Sequence, residues 1–171
     1  MEMLTTSMVD EYQVQASNNL NKKGLVYNTT VFLPSTQETY SELLNTDFDI
    51  YGLNLKFVRR IWRNQRDHEH LEKSSEKKIL NSISFKNPCI SEVFKDRIKF
   101  KINKKGFVNS VLLTSKTYID ENDYIDDTIS LNAPLVIPLD IEIFVEVDQI
   151  IALSVEYNFA RGYEHFKISI I

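Results

Sequence analysis

The chain has 171 residues, a formal net charge of −4, 26% charged and 43% hydrophobic residues. That length fits one domain with a sizeable core and is too short for two full enzymes. No run approaches the roughly 18 apolar residues of a membrane span, lysines and aspartates are interleaved rather than sorted into a phosphate-binding stripe, and a single cysteine, Cys89, excludes an internal disulfide. Neither nucleic acid nor a membrane is therefore expected as a partner. A reducing, cytoplasmic setting is expected, because the opening MEMLTTSMVDEYQ lacks the basic-then-apolar pattern of a signal peptide.

In chain order, residues 8–16 read as a short strand or a fraying helix, and LVYNTTVFL (Leu25 to Leu33) is β-rich and stops at Pro34. Ser35 followed by Glu38 has capping-box spacing, and Tyr40, Leu43 and Leu44 recur at helical intervals, which predicts a helix over residues 36–45. Residues 1–46 are thus expected to form an N-terminal extension, a strand or arm plus that short helix, and 47–171 the main domain. From Tyr51 to Trp62, Leu53, Leu55 and Phe57 alternate with polar residues as in a strand. Residues 63–78 (RNQRDHEHLEKSSEKK) hold one large apolar side chain, Leu71, and read as an exposed loop.

Ile79, Ile83 and Phe85 begin the next strand region. Ile98, Phe100 and Ile102 on one side of Asn103-Lys104-Lys105-Gly106, with Phe107 to Leu113 on the other, give a hairpin signal in which the glycine supplies a positive φ. An acidic loop, DENDYIDD, follows; Thr128 to Leu131 is a further strand, and Pro134 and Pro138 bracket a turn. The last 31 residues, IEIFVEVDQIIALSVEYNFARGYEHFKISII, alternate apolar and polar side chains and predict three closing antiparallel strands. The fold class expected is mainly β, an antiparallel β-sandwich of seven or eight strands with one short N-terminal helix.

Chemistry-bearing patterns are few. His68-Glu69-His70 with Asp67 offers metal ligands but no third position at a fixed spacing, and solvated loop histidines are the simpler account. Asp120 to Asp127 lacks the glycine and glutamate that a helix-loop-helix calcium loop needs, so a solvated acidic loop is preferred. There is no serine or cysteine elbow between glycines and no glycine-rich phosphate loop, so no enzyme activity, cofactor or metal is expected.

Three stretches support a family resemblance: DIYGLNLKF (Asp49 to Phe57), ENDYIDDTISL (Glu121 to Leu131), and Ile141 to Ile170 with Glu146, Asp148, Leu153, Val155 and the closing Lys-Ile-Ser-Ile. In that order they resemble the β-sandwich substrate-binding domain of the DnaK-type heat-shock chaperones. The resemblance implies a non-enzymatic, chaperone-like module that binds an extended polypeptide between strand-connecting loops, without the family's ATPase domain or helical lid. Carried over by position, the groove residues are Phe57, Phe100, Phe107, Val111 and Ile141. The alternative is a structural or assembly subunit of viral or injection-apparatus type, a homo-oligomer joined through strand edges or the N-terminal arm.

Overall fold

The computed structural model describes residues 35–50, 53–54, 61–62, 71–85, 92–126, 134–162 and 165–171. Eleven strands occur there: β1 (Thr36–Leu44), β2 (Asp49–Ile50), β3 (Leu53–Asn54), β4 (Ile61–Trp62), β5 (Lys78–Ser84), β6 (Val93–Lys101), β7 (Gly106–Tyr118), β8 (Tyr124–Ile125), β9 (Leu135–Val145), β10 (Ile150–Asn158) and β11 (Lys167–Ile170). Every pairing is antiparallel. The mainly β, antiparallel expectation therefore holds, and no α-helix occurs among the described residues.

The helix expected over 36–45 is strand β1, lying between β7 and the edge strand β5 of the larger sheet. Its apolar residues mimic a helical stripe because they sit on both faces of a strand. Leu43 enters the main core, whereas Leu44 joins a second cluster with Phe48, Leu112 and Val136 on the sheet's other side. The inward row that precedes Leu43 is Gln37, Thr39 and Ser41, all buried and all polar, so the period of two carries no hydrophobic signal.

The larger sheet runs β4-β9-β7-β1-β5, with β8 added to β7, and the smaller one runs β11-β10-β6. Edge strand β5 approaches β6, and β9 approaches β11, so the two sheets wrap one core as a flattened barrel. The core packs Phe100, Ile151, Leu153 and Val155 of the small sheet against Leu43, Val111, Leu113 and Ile137 of the large one. Tyr157 stacks on Phe166 at 5.0 Å, and its hydroxyl accepts a hydrogen bond from Asn81 Nδ2 at 2.9 Å.

Three local expectations change. Residues 98–113 form no hairpin: β6 pairs with β10 and β7 with β1 and β9, so Asn103 to Gly106 is a corner between sheets. Turn 146–149 is a second corner, since β9 and β10 lie in different sheets. Asp148 there adopts φ 68°, and its N–H donates to Ile102 O at 2.9 Å. Pro138 lies within β9 instead of bracketing a turn. The register jumps from Val108↔Ile143 to Ser110↔Pro138, and such an irregularity tolerates a residue with no N–H.

The loop expected over 63–78 is docked in its described part. Ser74 N–H donates to Leu43 O at 2.7 Å, and Asn103 N–H donates to Ser74 O at 2.9 Å. Ser75 Oγ accepts Leu43 N–H at 2.9 Å, and Glu76 N–H donates to Lys101 O at 3.2 Å. Residues 73–76 therefore tie β1 of one sheet to the β6–β7 corner. Backbone and hydroxyl hydrogen bonds do the tying, and hydropathy does not register them.

Candidate functional site

Of the five residues assigned to a peptide groove, the four that are described do not share one surface. Phe100 and Val111 are fully buried in the core between the sheets, because Phe100 faces inward from β6 and Val111 inward from β7. Phe107 is 49% exposed and Ile141 is 55% exposed, Ile141 lying in the irregular stretch of β9 opposite Asn109. Phe57 lies outside the described residues, as do His68, His70 and Cys89.

Phe107 has a partner that alternation alone did not single out. It pairs across β7 and β9 with Phe144, also 49% exposed, and the rings meet edge to face at 5.2 Å. Phe144 is the one apolar residue among the alternates Glu142, Phe144, Glu146 and Asp148. Lys105 Nζ lies 5.3 Å from the Phe144 centroid and 2.8 Å from Glu146 Oε1. Two more ion pairs mark this end of the barrel, Lys104 with Glu72 at 2.9 Å and Lys101 with Asp148 at 2.7 Å. An exposed aromatic pair beside ion pairs has the make-up of a contact surface with an apolar centre and a polar rim.

A second polar constellation lies on the outer face of the large sheet. Glu38 Oε2 accepts hydrogen bonds from the hydroxyls of Tyr40 and Tyr118. Burial, then the hydrogen bond to Glu38, hold the Tyr40 phenol well above its ordinary value. Lys77 lies over the Tyr40 ring at 4.6 Å and Lys116 over Tyr124 at 4.1 Å. The cluster contains no nucleophile next to a base, and its own lysines cover two of its rings, so it reads as a cross-strand lock.

The acidic loop closes on itself: Asp120 Oδ1 accepts the N–H groups of Asn122 at 2.8 Å and Asp123 at 2.9 Å. Its carboxylate stabilises the β7–β8 turn, and no group of three or more metal-ligating side chains occurs among the described residues.

On the small sheet, Ile98 and Phe100 face the core, which turns Lys95, Arg97, Lys99 and Lys101 of β6 outward in one row. The sequence KDRIKFK (Lys95 to Lys101) carries this row in its alternate positions. Counting charge along the chain hides it, because Asp96 and the acidic residues elsewhere dilute it.

The fold is similar to that of solved PRMT chains. A chain of the Trypanosoma brucei PRMT1 enzyme-prozyme heterotetrameric complex with AdoHcy is similar in structure, with a TM-score of 0.57, 10% identity, and 95% of this chain against 62% of that one. PRMT6 is similar with a TM-score of 0.57 and 9% identity, over 92% of this chain and 61% of that one. The chain thus spans about three fifths of the length of these solved chains. No family model matches the sequence, and no curated protein matches it. These neighbours are methyltransferases and overturn the expectation of a chaperone-like polypeptide-binding module.

Proposed function

We propose that this chain serves as a non-catalytic β-domain of methyltransferase type that contacts a methyltransferase catalytic domain. The observation behind this reading is the likeness in fold, which takes in nearly all of this chain but only about three fifths of the methyltransferase chains. The sequence itself has four glycines and no glycine-rich loop to cradle a nucleotide-like cofactor. In this reading the Phe107–Phe144 pair makes the contact, because two half-exposed rings at van der Waals distance are worth more when a partner excludes water from them. A cytoplasmic setting belongs to the same reading and suits a chain whose one cysteine has no internal partner.

Two measurements test it. Calorimetric titration of the purified chain with AdoHcy is expected to give no heat of binding, and saturable binding overturns the non-catalytic assignment. A photo-crosslinker placed at Phe144 is expected, in extract of the native source, to capture a protein with a methyltransferase catalytic domain, and to lose it when Phe107→Ser is added. Capture confined to proteins without such a domain overturns the proposed partnership.

A further inference from the structure

We infer that the outer face of the small sheet, built on the Lys95-Arg97-Lys99-Lys101 row, docks on an anionic phospholipid surface. The row is straight and regular, because alternate residues of a strand lie about 6.6–6.8 Å apart on one side. Its cross-strand partners are Glu156, Ser154, Ala152 and Ile150 on β10, and Lys167 of β11 pairs with Glu156 from the other side. Five cations therefore share a face with Glu156, and Asp148 lies at its end. Lys95 Nζ stands 2.9 Å from Glu156 and Lys101 Nζ 2.7 Å from Asp148. Arg97 and Lys99 face no carboxylate within ion-pair distance among the described residues.

The net charge of −4 does not forbid this. The carboxylates of the opposite sheet stand back by at least the sheet spacing of about 10 Å, so the cations of this row are the charges nearest a bilayer that meets this face. What selects lipid over other polyanions is the apolar part of the same face. Ile150, 56% exposed, projects beside Lys101, and Val147 on the adjoining corner is 52% exposed. Aliphatic side chains next to lysines gain by entering the boundary between headgroups and acyl chains. They offer a nucleic acid nothing to stack on, and the outward residues of β6, β10 and β11 paired here include no aromatic. Protein hot spots favour Trp, Tyr and Arg, of which this face holds Arg97 alone.

Co-sedimentation with phosphatidylcholine vesicles containing phosphatidylserine tests the inference, beside pure phosphatidylcholine vesicles and a single-stranded oligonucleotide. The full chain is expected to partition onto the anionic vesicles only, and less so as salt rises. Combined Arg97→Ala and Lys99→Ala should lower partitioning about thirtyfold, two charges at about 1 kcal/mol each. Ile150→Ser should lower it with the salt dependence unchanged. Thermal melts of both variants report whether the fold is kept, as expected for outward side chains. Absence of binding to the anionic vesicles, an Ile150→Ser variant that binds like wild type, or oligonucleotide binding that displaces the vesicles overturns the inference. None of these variants alters Phe107 or Phe144 of the larger sheet, on which the catalytic-partner reading rests, so the two readings fail separately.

Discussion

Asn109 has a partner for each of its polar side-chain atoms. Its Oδ1 accepts Thr46 N–H at 2.9 Å and Ser110 Oγ at 3.1 Å, while its Nδ2 donates to Thr46 O at 3.0 Å and to Glu142 Oε2 at 3.1 Å. It sits where the β7–β9 register jumps, so one amide replaces ladder bonds that the irregular stretch cannot make. Asn109→Ala is expected to cost about 1–3 kcal/mol for each buried group left unpaired, read as a lower urea midpoint. An unchanged midpoint would mean that the 45–48 segment is held by other contacts. Tyr40 makes a different prediction. Its folded pKa is raised above the 10.0 of a free phenol, so the unfolded chain gives up that proton first as pH rises. The stability it contributes is complete below about pH 10 and is lost on going toward the folded value. Tyr40→Phe should therefore flatten the loss of melting temperature above pH 10, and a variant that melts like wild type across that range would sink the assignment. Neither role was legible in the sequence, because Asn109 acts through Thr46 and Glu142, and Tyr40 through a Glu38 carboxylate that Tyr118 shares across the sheet.

At the level of elements, strands with an apolar inward row were legible and strands with a polar one were not. β10 alternates Ile151, Leu153, Val155 and Tyr157 toward the core and was expected as a strand. β1 offers Gln37, Thr39 and Ser41 inward and was taken for a helix. The peptide-groove expectation failed for a related reason, since alternation places residues on faces without saying which face is covered. Segment 71–78 gives a prediction at this scale. Its serines bond to β1 and to the β6–β7 corner, so limited proteolysis of the folded chain should spare the lysine bonds at Lys73, Lys77 and Lys78 under conditions that cut exposed loops. Ser75→Ala, which removes the acceptor of Leu43 N–H, should open them to cleavage. Cutting at Lys73 in the wild type as fast as in an unstructured peptide would show that the tie is absent.

Across the whole molecule, the fold class followed from periodicity, but the wiring did not. A period of two says that a segment is a strand and is silent on which strand lies beside it. Here, neighbours in sequence separate: β5 and β6, β6 and β7, and β9 and β10 all part into different sheets at their connections. The basic row was likewise hidden from a count of net charge, because the fold, and not the composition, sorts charge onto faces.

The placement of β1 has a consequence for how the protein is made. Its Thr36 pairs with Tyr118 and its Leu44 with Ser110, so this interior strand of the large sheet leaves the ribosome before its β7 partner exists. At about 5–20 residues per second the wait lasts several seconds, far longer than the microseconds in which collapse occurs. An apolar strand would spend that interval recruiting other nascent chains. The Gln37-Thr39-Ser41 row, which weakens the finished core, gives the waiting strand a water-compatible side until Gly106 to Tyr118 arrives to cover it.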